Sequence, residues 1–172
     1  VFGAISSSYG QAEVRVTRWI LDNLSWWKSF FAAGAPPCSL LVHPPHLDYV
    51  PTTDASGTGY GGQFLGNDGV IYYFYGEWPP ENRMLFDEGV LDINILELVT
   101  VELLLEQAGP HIVGQSCTLR CDNESSVELL NSHRARRYAS GLVLARIDLL
   151  LATYGLDVKF EWISTRDNVL AD

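Results

Sequence analysis

The spacing of hydrophobic and polar positions alternates between a helical and a strand-like period along the chain, and this pattern predicts most of the elements. Between Thr17 and about Ala33, large apolar residues recur every three to four positions, which predicts a helix. Later segments rich in Val, Tyr and Phe predict strands, and longer Leu-rich segments predict helices. The predicted strands cover about 49–54, 59–66, 69–76, 115–121 and 156–163, and the predicted helices 94–107, 123–131 and 138–154.

Turn residues separate these elements. Asn67-Asp68-Gly69 predicts a hairpin between the second and third strands. Gly109-Pro110 and Gly155 predict the ends of two helices, and the acidic segment 77–92 is predicted to be irregular. Asn168 is predicted to start a last helix, which the end of the sequence at Asp172 truncates.

The predicted order is βββ-α-β-α-α-β-α. An antiparallel meander followed by β-α crossovers is typical of an α/β fold with a mixed five-stranded sheet flanked by helices. Residues 34–51 contain five of the eight prolines and predict an extended connection. We therefore divide the chain into an N-terminal helix with a Pro-rich connection, residues 1–47, and a domain over residues 48–172.

Composition and charge narrow the class of protein. The chain is 47% hydrophobic, which is ample for a buried core, and its net charge of −10 argues against a stand-alone nucleic-acid binder. A cluster of metal-binding acids remains compatible with that charge, since bound cations offset it. The sequence shows no signal-peptide pattern at its start and no apolar run long enough to cross a bilayer. Its first and last residues are typical of a piece of a longer polypeptide.

Three cysteines, Cys38, Cys117 and Cys121, form no CxxC pair. An odd number without this spacing does not suit a disulfide scaffold or a zinc site. Cys117 and Cys121 lie on one face of a predicted strand, and we interpret them as reduced core residues. This predicts an intracellular protein, cytoplasmic or nuclear.

Two acids end predicted strands in similar settings: Asp54 in TTDASGTGYGG and Asp122 in LRCDNESS. If the two strands are parallel neighbours, their carboxylates lie side by side at the edge where sites gather in such sheets. Adjacent carboxylates repel unless a proton or a cation lies between them, and Mg²⁺ prefers oxygen ligands. We expect the small residues after Asp54 to leave room for ions and a phosphate backbone.

Glu97, in the first turn of a predicted helix, and Asp172, at the start of the last one, could join them. Each acid also has a structural alternative. Asp54 could close an Asx turn, Glu97 could pair with Asn94 in a capping box, and Asp122-Asn123 could cap a helix. Asp172 could be an exposed terminal acid.

Four segments in series, TTDASGTGYGG, INILELVTVELLLEQ, LRCDNESSVELLNS and WISTRDNVLAD, resemble the ribonuclease H domain linked to reverse transcriptases in retrotransposon polyproteins, of the DIRS-like or gypsy-like kind. The resemblance implies the ribonuclease-H-like fold over about 48–172, with residues 1–47 as the end of the polymerase or connection region. It implies hydrolysis of the RNA strand of an RNA–DNA hybrid, with the reverse transcriptase domain as partner. It implies that Asp54, Glu97, Asp122 and Asp172 hold two Mg²⁺ ions, which Mn²⁺ can replace, one activating water and one stabilising the leaving 3′ oxygen.

The sequence departs from this family in two places. Many relatives carry a His in the loop before the last helix, whereas this loop reads STRDN, and its Arg166 cannot shuttle a proton. The basic protrusion of some cellular members is also missing, and SHRARRYAS holds the densest positive cluster. The residues that could contact nucleic acid are Asn123, Ser125, Arg134, Arg136, Arg137 and Arg166, although a solvated or capping role explains each of them equally well.

Three hypotheses follow. The first is an RNA–DNA hybrid ribonuclease. The second is a non-catalytic tether or interaction domain of the same fold, and the third is another metal-dependent nuclease of the superfamily. Glu102 is the acid that a misaligned motif would exchange for Glu97.

Overall fold

Five strands form one mixed sheet, with helices packed against it, in a computed structural model that describes residues 17–32, 45–135 and 137–168. The strands are β1 Thr52–Ala55, β2 Gly59–Leu65, β3 Ile71–Glu77, β4 Ser116–Cys121 and β5 Asp157–Trp162. The helices are α1 Arg18–Ala32, α2 Pro80–Asp87, α3 Ile93–Ala108, α4 Glu124–Ser132 and α5 Tyr138–Tyr154, with a 3₁₀ helix at Gly109–His111. The α/β fold class and the five-stranded sheet are therefore confirmed.

The strand order is β3-β2-β1-β4-β5. β1, β2 and β3 pair antiparallel as a meander, while β4 is parallel to both β1 and β5. β1 is thus the strand at which hairpin connections give way to crossovers. In sheets of this kind, the cleft at the carboxyl ends of such strands is the usual place for a site.

The pairing of β1 with β4 fixes which side chains meet at that edge. Thr53 pairs with Cys121, so the next residue of each strand, Asp54 and Asp122, comes at the same end of the sheet. The sequence pattern predicts this arrangement only on the condition that the two strands are parallel neighbours. The structure satisfies that condition.

Helix α3 is buried at the centre of the molecule, because its surface is apolar around most of its circumference. Leu98, Val101, Leu104 and Leu105 are at most 1% exposed, and α3 lies between β1, β2 and α5. Full burial of one such side chain stabilises the fold by about 1.5–3 kcal/mol, so this helix is firmly anchored. Its position matters for the site, since α3 also carries Glu97. The rest of the core includes Phe64, Leu119, Cys121, Leu130, Ile147 and Phe160.

The prediction that residues 77–92 are irregular is wrong, because α2 occupies part of this segment. Pro80 stands at the first position of the helix, where a proline lacks no needed hydrogen bond and already has the helical φ. None of its residues is fully buried, so α2 is a short helix at the surface. Phe86 nevertheless packs within reach of Gly57, at the turn after β1.

The predicted hairpin is confirmed. Gly69 adopts a φ of 77°, which favours glycine, and the N–H of Gly66 donates to the carbonyl of Val70 over 2.9 Å. Cys117 and Cys121 are free and buried, as the alternation in β4 predicts. Arg136, Asp172, Cys38 and the predicted last helix beyond Asn168 lie outside the described residues.

Helix α1 confirms the first predicted helix and packs on α5, where the indole N–H of Trp26 donates to the carbonyl of Ala145. Most of the Pro-rich connection lies outside the described residues. Among the helices of the described ranges, none is both long and apolar enough to cross a membrane.

Candidate active site

Asp54 lies inside β1 and pairs with Gly61 of β2, with its side chain partly exposed at the carboxyl end of the strand. The turn that follows is closed by the Ser56 hydroxyl, which accepts the backbone N–H groups of Thr58 and Gly59 over 3.3 and 3.1 Å. The Ser56 hydroxyl therefore shapes this corner.

The glycines after Asp54 serve close packing. A Cβ atom on Gly57 would lie 2.5 Å from the Phe86 ring, and one on Gly59 would lie 2.6 Å from the carbonyl of Gly76. These two glycines therefore let α2 and β3 approach closely. Gly59 also lines, with Asp54 and Gly61, a cavity at this edge of the sheet, so the expectation that the small residues leave room for ions stays a prediction.

Glu97 projects from α3 towards the ends of β1 and β4. Its Oε1 accepts the backbone N–H of Ala55 over 3.3 Å, and its Oε2 lies 3.6 Å from the Cys121 thiol. The alternative of a capping box with Asn94 is wrong, because α3 begins one residue earlier than Asn94 and its N-cap is Asp92, which accepts the N–H of Ile95 over 3.1 Å.

Glu102, the acid that could be confused with Glu97, points elsewhere. It is buried, and its Oε2 accepts from the guanidinium of Arg146 on α5 over 2.8 Å. Burial raises the pKa of Glu102, and the Arg146 charge opposes that shift. Glu102 is thus occupied in a helix–helix ion pair, and the tertiary structure assigns Glu97 to the edge of the sheet.

Asp122 follows β4 directly and is held from two sides. Its Oδ2 accepts the hydroxyl of Thr165 over 2.9 Å, and its backbone carbonyl accepts the indole N–H of Trp162 over 2.9 Å. The alternative of a helix cap applies to its neighbour only, since Asn123 Oδ1 accepts the N–H of Ser126 over 2.9 Å and caps α4. The carboxylate of Asp122 is left facing the site.

Three residues at this edge of the sheet form one compact cluster, to which Asp54 does not belong. Glu97, Cys121 and Asp122 each offer a ligand atom, and the three atoms lie within 4.8 Å of one another. Glu97 is only 3% exposed, and burial, followed by the negative charges of Asp122 and Asp54, raises its pKa to about 8. Burial and the neighbouring acids also raise the pKa of the Cys121 thiol. A positive charge placed between the carboxylates would relieve this repulsion.

The last strand leads back to the same edge. After β5 the chain turns at 164–167, and the buried side chain of Asn168 donates from its Nδ2 to the carbonyl of Thr53 over 3.0 Å. Thr53 directly precedes Asp54. Asn168 therefore lies beside the strand that carries Asp54.

The residues predicted to contact nucleic acid differ in their exposure and in their partners. Arg137 pairs with Asp92, the N-cap of α3, while Arg134, Ser125 and Arg166 are exposed. Because Asp92 starts the helix that carries Glu97, Arg137 lies at the site's end of α3. Asn123 donates to the Asn94 side chain over 2.9 Å and so links the starts of α3 and α4.

Sequence reasoning missed Thr165 and Trp162 and counted Cys121 as a core residue only. Thr165 lies in the STRDN loop, where the sequence shows only that the His of many relatives is absent. The pairing of β5 with β4 brings Trp162 to Asp122, and the turn after β5 brings Thr165 there. No local pattern in the sequence reports such a contact between strands.

Solved structures share this architecture. RNase H1 from the halophilic archaeon Halobacterium salinarum NRC-1 matches with a TM-score of 0.55 at 16% identity, covering 72% of this chain and 90% of that one. LC11-RNase H1, isolated from compost by a metagenomic approach, gives 0.51 at 19% identity, covering 72% and 89%. The N-terminal RNase H domain of a Mycobacterium tuberculosis protein gives 0.50 at 13% identity, covering 72% and 94%.

No protein-family model matches the chain, and no curated protein matches it significantly. At identities of 13–19%, the likeness to the three solved structures concerns the fold. The strand order, the parallel pairing of β1 with β4 and the central α3 agree with it. The chain therefore has the ribonuclease H fold.

Proposed function

We propose that this protein is a metal-dependent ribonuclease that hydrolyses the RNA strand of RNA–DNA hybrids. The observation that carries the proposal is the convergence of Asp54, Glu97 and Asp122 from β1, α3 and β4 at one edge of the sheet. The fold and the resemblance of the four sequence segments support it. A structural role for the three acids would leave unexplained why the buried Glu97 lies close enough to two other carboxylates for their charges to raise its pKa.

The side chains fit divalent cations. Asp54, Glu97 and Asp122 would hold them, with Asp172 as a fourth candidate outside the described residues, and hard cations such as Mg²⁺ prefer these oxygen donors. When bound, two such ions would activate water and stabilise the leaving 3′ oxygen at an RNA phosphodiester. The raised pKa of Glu97 supports this fit, since a nearby cation stabilises the ionised form that burial and like charges disfavour.

The chain's own residues prepare the site. The Ala55 N–H holds one oxygen of Glu97, the Thr165 hydroxyl orients Asp122, and the Trp162 N–H fixes the backbone of Asp122. Exposed Arg134 and Arg166 are available to phosphates. Local cations of this kind matter here because the net charge of −10 repels a polyanion at long range.

We further propose that the protein acts within a retrotransposon polyprotein, degrading template RNA beside a reverse transcriptase domain. Residues 1–47 would then be the connection to the polymerase. The packing of α1 on α5 supports this proposal, because it places the N-terminal helix in contact with the domain that follows it.

A cleavage assay tests the proposed function. The protein is incubated with a labelled RNA–DNA hybrid and Mg²⁺ or Mn²⁺, beside single-stranded RNA, duplex RNA and duplex DNA. Selective loss of the hybrid's RNA strand is the expected result. Preferential cutting of duplex DNA would favour another nuclease of the superfamily. A folded protein that binds neither ion at millimolar concentration would favour a non-catalytic domain.

Thr165 provides a finer test. We expect Thr165→Ala to lower the affinity for Mn²⁺ and the cleavage rate by about 10–100-fold, because groups that orient a metal ligand typically have effects of this size. Thr165→Ser, which keeps the hydroxyl, should retain most of both. Calorimetric titration with Mn²⁺ measures the affinity independently of cleavage.

Ser164→Ala is the matched control, because the Ser164 hydroxyl donates to Asp167 and not to Asp122. It should change neither quantity by more than about twofold. Equal losses in the Ala and Ser variants of Thr165 would show that its hydroxyl does not position Asp122.

A further inference from the structure

Trp162 is a large aromatic side chain at the edge of the candidate site. It is the last residue of β5 and pairs with Cys121, the residue before Asp122. Its relative exposure is 54%. Tryptophan is mostly buried in folded proteins, so a half-exposed one next to a candidate catalytic acid is informative.

The orientation of its indole ring is fixed. The ring N–H donates to the carbonyl of Asp122 over 2.9 Å, which satisfies the one polar group of the side chain. The exposed remainder of the ring is therefore apolar and aromatic. This differs from an exposed tryptophan that meets solvent through its polar edge.

The neighbourhood suits a polynucleotide. Arg166 is exposed in the turn after β5, next to Thr165, which itself contacts the Asp122 carboxylate. An exposed cation four residues after an exposed aromatic ring provides the two kinds of group that bind a nucleic-acid strand, the cation on phosphate and the ring on a base or sugar. The negatively charged carboxylates of the site do not themselves attract the phosphates of a nucleic acid.

We propose that Trp162 is a substrate-binding residue whose ring stacks on a nucleotide of the strand that passes Asp122. The identification of the ligand as a nucleic acid rests on the proposed function. The contact itself follows from the ring's exposure, its fixed orientation and its place beside Asp122.

Two substitutions separate this role from a purely structural one. Trp162→Phe keeps an aromatic ring and loses the N–H that holds Asp122, whereas Trp162→Leu keeps apolar bulk and loses both. Binding of a fluorescently labelled hybrid is measured by anisotropy with Ca²⁺ in place of Mg²⁺, under conditions where no cleavage is seen. Single-stranded RNA and DNA serve as further ligands, and thermal unfolding of each variant checks the fold.

If the ring stacks, Trp162→Phe should bind within about twofold of the parent, and Trp162→Leu should bind about tenfold more weakly, the range of one base–aromatic stack. Tyr73→Leu is the matched control, because Tyr73 is 64% exposed but lies on the edge strand β3. It should not change the affinity.

Equal weakening in both Trp162 variants would assign the residue to holding Asp122 and overturn the proposal, as would unchanged binding in Trp162→Leu. A parent protein that binds none of the three ligands would also overturn it. Binding that depends on the ring in a protein that cuts no hybrid would leave this proposal standing and refute the nuclease function alone.

Discussion

Asp122→Asn is expected to reduce hybrid cleavage by at least about 100-fold while leaving the protein folded. Loss of a group that merely orients a metal ligand lowers activity by about 10–100-fold, so loss of a ligand should exceed that. Asn keeps the shape of the side chain and can still accept the Thr165 hydroxyl, so the local structure is preserved. The measurement is the rate of RNA-strand cleavage in Mg²⁺, together with Mn²⁺ affinity by calorimetry.

Asp157→Asn is the matched control. Asp157 is an exposed aspartate at the first position of β5, at the opposite end of the sheet from Asp122. Its substitution should leave cleavage within about twofold. Full activity in Asp122→Asn would contradict the proposed site, and an equal loss in Asp157→Asn would indicate a general effect of charge.

Glu97→Gln is expected to stabilise the metal-free protein at neutral and alkaline pH while abolishing cleavage. The pKa of Glu97 is about 8 in the folded chain, against an ordinary value of 4.5. Gln retains an oxygen for the Ala55 N–H and has no charge to desolvate. We expect a gain in the free energy of unfolding on the order of a few kcal/mol above pH 8, measured by urea unfolding in EDTA.

The pH dependence follows from the direction of the shift. Below pH 4.5, Glu97 is protonated in both the folded and the unfolded chain, and the two proteins should be equally stable. Between pH 4.5 and 8 the unfolded chain releases its proton while the folded chain retains it, so the parent loses stability as the pH rises. The difference between the parent and Glu97→Gln should therefore grow across this window and level off above it.

Glu106→Gln controls for the loss of an acid from the same helix. Glu106 is exposed near the end of α3, and its substitution should change the free energy of unfolding by less than about 0.5 kcal/mol. Millimolar Mg²⁺ should restore stability to the parent above pH 7 and have little effect on Glu97→Gln. A Glu97→Gln protein less stable than the parent at pH 9 would contradict the electrostatic description of the site.

Much of the fold was predictable from local patterns. The alternation of apolar residues in β4, the hairpin at Asn67-Asp68-Gly69 and the apolar length of α3 each reflect a burial preference that short segments encode. The segment 77–92 was not predictable in this way. Its prolines suggest a break in structure, while in the folded chain Pro80 starts α2 and Phe86 packs at the corner after β1.

The candidate site was likewise predictable from the sequence only in part. Asp54 and Asp122 can be located from the sequence because each ends a strand. The resemblance of INILELVTVELLLEQ favours Glu97 over Glu102, but burial does not separate them, since both lie on α3 and both are buried. Five residues correspond to a rotation of about 140° around a helix, so one acid meets the sheet and the other meets Arg146 on α5.

The sequence by itself determined the order of the elements, the apolar faces that drive them together and the two acids at strand ends. The tertiary structure alone decided that β1 and β4 are parallel neighbours, that Glu102 is held by Arg146 on α5, and that Thr165 and Trp162 hold Asp122 from β5 and its following turn. The reason is physical. Periodicity along a chain reports whether a side chain is buried, whereas its partner is set by strand pairing and helix packing between residues far apart in sequence.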